Sequence, residues 1–258
     1  MRAGVRPLIA GNWKMFHGGA SGVVLAHAVA EVAPRVPHVD LVIAPPFTAL
    51  AAASHECDGS KVAIASQNLY PKDTGAFTGE ISPAMLVESG CTWAIIGHSE
   101  RRQIFSENDS FVDEKTRAAF AAGLLPIVCV GETLAEREAG NTLEVVSRQV
   151  GAVIETLAAD KRSAAIAYEP VWAIGTGKTA GPKEAEEVHA HIRQLLAKKA
   201  PELAQRTRIL YGGSVKPENA EALLSCPNID GALIGGASLD AGSFGAIAFS
   251  AEKVFSAN

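Results

Sequence analysis

The chain lacks the marks of most specialised classes. Its four cysteines, Cys57, Cys91, Cys129 and Cys226, are scattered without C-x-x-C spacing, which argues against a disulfide framework or a zinc site and favours a reducing cytoplasm. His189 and His191 lie two apart, on different faces of any helix, so a two-histidine metal site is not expected there. No apolar run reaches transmembrane length, and the first, Leu8-Ile9-Ala10, is too short for a signal peptide. No block of like charge occurs. The formal net charge of -5 is spread over interspersed acids and bases, which argues against a nucleic-acid or membrane-surface partner. No Pro/Ser/Gly-rich linker divides the chain, so residues 1–258 read as one domain.

What is present is a rhythm. Eight short apolar runs recur at 7–10, 41–44, 62–65, 93–96, 125–130, 164–168, 208–211 and 232–234. They are apolar almost throughout rather than alternating, as parallel strands covered on both faces are. Helical patterns lie between them, at 21–33, 49–55, 83–89, 109–122, 143–158, 184–199, 217–225 and 241–254. Eight strand–helix units in about 250 residues have the size of a (β/α)8 barrel. A doubly wound open sheet is the alternative, although none of the eight runs, with Arg208 at the start of the seventh the one charge among them, carries the obvious charges that protect a sheet edge.

In a barrel, chemistry sits at the C-terminal ends of the strands. The residues there are Asn12 and Lys14 after the first run, Gln67 after the third, His98, Ser99 and Glu100 after the fourth, and Gly131-Glu132 after the fifth. Glu169 follows the sixth, Gly212-Gly213-Ser214 the seventh and Gly235-Gly236 the eighth. The last two clusters suit a phosphate, because glycine amides approach an anion closely. Lys14 is then the fixed cation beside it, against the plain reading of a solvated loop lysine. His98 stands where a polar turn enters a helix, whose positive end disfavours protonation; it suits a neutral hydrogen-bond donor, or else a buried structural histidine.

Glu169 is the candidate base. Pro170 fixes its backbone as extended, and the following segment, Trp172 to Gly177, reads as a hinged lid with glycines at its tip. A free glutamate, near pKa 4.3, is too weak a base, so a closing lid is expected to raise its pKa. The stretch Gly175-Thr176-Gly177-Lys178-Thr179-Ala180 fits the dinucleotide pattern with a terminal Ala, and its Gly177-Lys178-Thr179 resembles the end of a P-loop, but the context of both is missing. A P-loop needs glycine where Trp172 stands, and a dinucleotide fold needs a tight strand-to-helix turn that Pro182 delays.

Six motifs together, Gly11-Asn12-Trp13-Lys14-Met15, the loop 75–82 (GAFTGEIS), Ile96-Gly97-His98-Ser99-Glu100-Arg101-Arg102, the segment 167–177 (AYEPVWAIGTG), Tyr211-Gly212-Gly213-Ser214-Val215 and Gly235-Gly236-Ala237-Ser238-Leu239, resemble the triosephosphate isomerases, in that family's order and from end to end. The resemblance implies interconversion of dihydroxyacetone phosphate and D-glyceraldehyde 3-phosphate through an enediol(ate), in glycolysis and gluconeogenesis, without metal or organic cofactor. Carried over, Glu169 takes the carbon-bound proton, His98 polarises the carbonyl, and Lys14 with Asn12 stabilises the charged substrate. Gly175, Ser214, Gly235 and Gly236 hold the phosphate through backbone amides, and Ser99 and Glu100 support them. It also implies a homodimer in which Thr78 reaches the partner's site. A departure, Phe16 where many members carry Asn after Met, lies beyond the contact residues. Two other functions remain open on the residues alone. One is a phosphate-binding lyase or aldolase of the same fold, although no run carries a Schiff-base lysine. The other is a non-catalytic phosphosugar-binding barrel, which has no use for Glu169, His98 and a lid together.

Overall fold

The computed structural model describes residues 5–173 and 180–256. Eight parallel strands, β1 (Leu8–Asn12), β2 (Asp40–Ala44), β3 (Val62–Ser66), β4 (Trp93–Ile96), β5 (Leu125–Val130), β6 (Ala165–Tyr168), β7 (Arg208–Tyr211) and β8 (Gly231–Ile234), follow one another around a closed barrel. The seam decides between barrel and open sheet: β1 pairs with β8, Leu8 opposite Gly231. Gly231 has φ +149, and a Cβ there would lie 2.0 Å from the Leu8 carbonyl oxygen, so closure at this point demands glycine.

Alternation along each strand sorts side chains into two cores. Leu8, Ala10, Val42, Trp93, Ile95, Ile127 and Leu210 fill the barrel. Ile9, Leu41, Ile43, Ala94, Ile96 and Ile209 face outwards into the layer beneath the helices. With both faces buried, the strands read as continuous apolar runs, which is why they were visible in the sequence.

The outer layer comprises α1 (Ala20–Ala30), α2 (Phe47–Glu56), α3 (Pro83–Glu88), α4 (Ser99–Ile104), α5 (Asp109–Ala121), α6 (Leu134–Glu138), α7 (Thr142–Ala159), α8 (Pro182–Lys199), α9 (Pro201–Arg206), α10 (Pro217–Leu224) and α11 (Ala241–Ser256). The expected first helix ran to 33. Instead α1 stops at Ala30, and Pro34 sits in a separate 3-10 turn, Ala33–Arg35. Three helices were not anticipated. The six-, five- and six-residue α4, α6 and α9 are too short to show a period, although α6 opens on a readable capping box, Thr133 with Glu136. Among the described residues, no helix is long and apolar enough to cross a membrane.

Candidate active site

The strand ends deliver the expected residues to one cavity of about 650 Å³, lined by Asn12, Lys14, His98, Glu169, Ser214, Gly235 and Gly236 among others. Asn12 closes β1, and its Oδ1 accepts from the Lys14 amide at 3.0 Å. That short turn holds Lys14 at φ 50, a left-handed conformation that costs a non-glycine residue roughly 1–2 kcal/mol. Gln67 stabilises the turn from β3, its Nε2 donating to the Lys14 and Ala44 carbonyls at 2.8 Å each. The Lys14 ammonium lies 2.6 Å from Glu100 Oε1. Its stem passes the β8 end so closely that a Cβ on Gly235 would meet Lys14 Cε at 3.5 Å.

His98 caps α4. Its Nδ1 accepts from the Glu100 amide at 3.2 Å, so the neutral ring carries its proton on Nε2. Nε2 faces Glu169 Oε1 at 2.9 Å, and Glu169 Oε2 accepts from the Ser99 amide at 2.9 Å. Both side chains are buried, Glu169 at 2% exposure. Burial pushes the Glu169 carboxyl up. His98 and the Ser99 amide outweigh it, helped by Lys14, and hold the carboxyl below the ordinary glutamate range. Burial in turn lowers His98, but the Glu169 carboxylate lifts it above the ordinary imidazole value. The rise expected for Glu169 belongs to a closed lid, whose tip lies outside the described residues. In this geometry the pairing of Glu169 with His98 stabilises both charged forms.

Around the base the backbone is crowded. A Cβ on Gly212 would lie 2.8 Å from Glu169 Cγ, and one on Gly131 would lie 1.8 Å from the Glu169 carbonyl oxygen. The segment after the base is tied to the end of β5. Tyr168 donates its hydroxyl to the fully buried Glu132 at 3.1 Å, and the Trp172 indole donates to Glu132 at 2.9 Å. The guanidinium of Arg137 covers the Trp172 ring at 4.3 Å.

A family model described as triosephosphate isomerase matches residues 7–251. The chain belongs to the triosephosphate isomerase family. It is 53% identical over 243 residues to the triosephosphate isomerase of Moorella thermoacetica, covering 94% of this chain and 97% of that one. It is 50% identical over 241 residues to that of Syntrophotalea carbinolica, covering 93% and 96%. The triosephosphate isomerase of Rhodopirellula baltica is 51% identical over 246 residues, covering 94% and 96%. The chain is thus an isomerase that interconverts dihydroxyacetone phosphate and D-glyceraldehyde 3-phosphate, and the lyase and sensor alternatives are not favoured.

Of the residues expected at the site, Gly175 and the lid tip lie outside the described residues. Ser99 lies behind the base rather than in the substrate cavity, and Glu100 holds Lys14. Thr78 stays on an exposed loop and does not approach Asn12 or His98 of its own chain's cavity. Gln67 and Glu132 were visible as strand-end residues, but nothing in the sequence assigned them a task. Among the described residues, no group of three or more His, Cys, Asp or Glu side chains could hold a metal ion.

Proposed function

We propose that Glu169, His98 and Lys14 carry the proton-transfer chemistry of this isomerisation, and that Asn12, Ser214, Gly235, Gly236 and Gly175 bind the substrate. The observation that carries the reading is the arrangement of base and electrophile. A carboxylate and an Nε2–H donor, 2.9 Å apart, stand at the wall of a cavity whose other end is a pair of glycine turns and a lysine.

In this geometry both Glu169 oxygens are occupied, one by the Ser99 amide and one by His98. To take a carbon-bound proton, the carboxylate leaves both and turns towards the substrate, into the space that Gly212 leaves open. That movement removes the two contacts that keep its pKa low. Burial then dominates and the carboxylate becomes a stronger base. The same movement frees the His98 Nε2–H to donate to the substrate carbonyl. Without the carboxylate beside it, burial and the α4 N-terminus keep the ring neutral. The enediolate oxygen therefore meets a neutral donor, with Lys14 supplying charge. At an effective dielectric of about 20, a cation some 4 Å from an anion contributes about 4 kcal/mol before desolvation. The phosphate is held by amides of Ser214, Gly235 and Gly236, with Gly175 completing the cradle from the lid. A closed lid keeps water from an intermediate prone to lose phosphate.

The chain acts as a single catalytic domain, 1–258, in the cytoplasm and as a homodimer. Support for the dimer comes from the distribution of exposed apolar side chains. Among the described residues, nine of the eleven exposed large apolar side chains, Met15, Phe16 and Phe77 among them, lie on segments that follow β1 to β4, and only Leu134 and Leu143 follow β5; the concentration in one half of the barrel suits a covered face. Thr78 and Phe77 project from the same half, where a partner's loop and site would meet them. A coupled assay with no added cofactor tests the activity, with severe loss expected for Glu169→Gln. Sedimentation tests the assembly: Ile104→Glu is expected to dissociate the dimer, and a wild-type chain sedimenting as a monomer at micromolar concentration would refute it.

A further inference from the structure

We infer that Gln149, a helix residue outside the substrate cavity, is a positioning residue for the base, acting through the peptide of Gly131. Gln149 lies two turns into α7 and is 6% exposed. Its Oε1 accepts from the Gly131 amide at 2.7 Å and its Nε2 donates to the Gly131 carbonyl at 3.2 Å. The side-chain amide thus takes both backbone groups of the residue at which β5 leaves the sheet, as a neighbouring strand would.

Gly131 matters because of what rests on it. Its Cα abuts the Glu169 carbonyl with no room for a Cβ. On one side of it, Val130 accepts the Glu169 amide at 2.7 Å. On the other, the Glu132 carbonyl accepts the Val171 amide at 3.2 Å, and its carboxylate accepts from Tyr168 and Trp172. The base segment 168–172 therefore hangs on residues 130–132, and Gln149 fixes the middle one. Of the proposed phosphate cradle, Ser214, Gly235 and Gly236 follow other strands, β7 and β8, and only Gly175 continues the base segment. Gln149 therefore acts on the placement of the base far more than on phosphate binding.

The inference rests on Glu169 being the base, and the test separates the two. In Gln149→Leu, a side chain of similar bulk leaves the Gly131 amide and carbonyl unpaired. A shift of the base by about 1 Å costs on the order of 10²-fold. The expected result is a kcat 10- to 100-fold lower, with KM and the inhibition constant of inorganic phosphate within threefold and the circular dichroism unchanged. In Gln149→Glu, the ionised carboxylate accepts the Gly131 amide but repels the carbonyl. Once protonated it both donates and accepts, restoring the pair. Its kcat relative to wild type should rise as pH falls from 8 to 6, whereas the Gln149→Leu ratio stays flat. If Gln149→Leu fails to fold, this pH-dependent rescue alone decides. A kcat for Gln149→Leu within twofold of wild type, beside a crippled Glu169→Gln, overturns this inference and spares the base. So does a parallel fall in kcat, phosphate affinity and melting temperature, or a Gln149→Glu ratio that does not move with pH. An unimpaired Glu169→Gln fails the base assignment itself.

Discussion

Shortening the base by one carbon isolates position from chemistry, because Glu169→Asp keeps the carboxylate and moves it. Removing a methylene retracts the carboxylate by about 1.5 Å. The contacts to His98 Nε2 and the Ser99 amide, 2.9 Å each, then open to about 4.4 Å, beyond hydrogen-bond range. The reacting oxygen retreats from the substrate carbon by a similar distance. With roughly 10² lost per ångström of misplacement, kcat falls by about 10²–10³, or about 3–4 kcal/mol in the barrier. Glu169→Gln, which has no base at all, loses about 10²–10⁴. The two variants should therefore be nearly equally poor, although one retains the full acid–base function. KM should stay within threefold, since Lys14, Ser214 and Gly235 are untouched. The measurement is steady-state turnover of glyceraldehyde 3-phosphate in a coupled assay, with circular dichroism confirming the fold. An aspartate variant keeping more than half of the wild-type kcat would show that this side chain's reach is not limiting, and the reasoning from distance would fail.

Removing Glu169 should also alter the pH dependence of stability. A depressed carboxylate stabilises the fold above its unfolded pKa and ceases to do so as pH falls below about the ordinary 4.5, while a raised histidine stabilises below about 6.5 and ceases as pH rises through its folded value. The gap in urea midpoint between wild type and Glu169→Gln should thus lean furthest towards wild type between about pH 4.5 and 6.5, and a gap that moves towards wild type below pH 4.5 would mean that the pair does not hold the carboxylate ionised. Gly212→Ala, with its methyl 2.8 Å from Glu169 Cγ, should lower kcat at least tenfold, while Gly236→Ala, whose methyl meets nothing within 4 Å, should fold as wild type; equal kcat for wild type and Gly212→Ala would show that the base has room to spare. Gly231→Ala should destabilise the barrel by about 3–5 kcal/mol through strain and seam clash, read by urea unfolding, and a loss under 1 kcal/mol would refute the demand for glycine at the seam.

The sequence made the strand ends legible because a parallel barrel turns every strand the same way. Whatever polar residue ends an apolar run must then face the same mouth. Asn12, Lys14, His98, Glu169, Ser214 and Gly235 were found by that rule alone, and the cavity gathers them. The rule says nothing of partners. It could not show that Glu169 rests between His98 and the Ser99 amide, the two contacts that hold its carboxyl low in this geometry. Nor could it close the barrel, since a seam such as Gly231 against Leu8 is a contact between residues more than two hundred positions apart. Gln149 was invisible for a different reason. A glutamine within Val-Ser-Arg-Gln-Val reads as one more polar residue of an amphipathic helix. But each helix returns antiparallel to the strand it follows, so its first two turns lie level with the strand ends. A polar side chain buried there, with no charge of its own to pair, has a strand-end peptide within reach, and Gln149 on Gly131 is that case. The legible half of such a site is therefore the set of strand ends, and the half that holds it in place is carried by the opening turns of the helices.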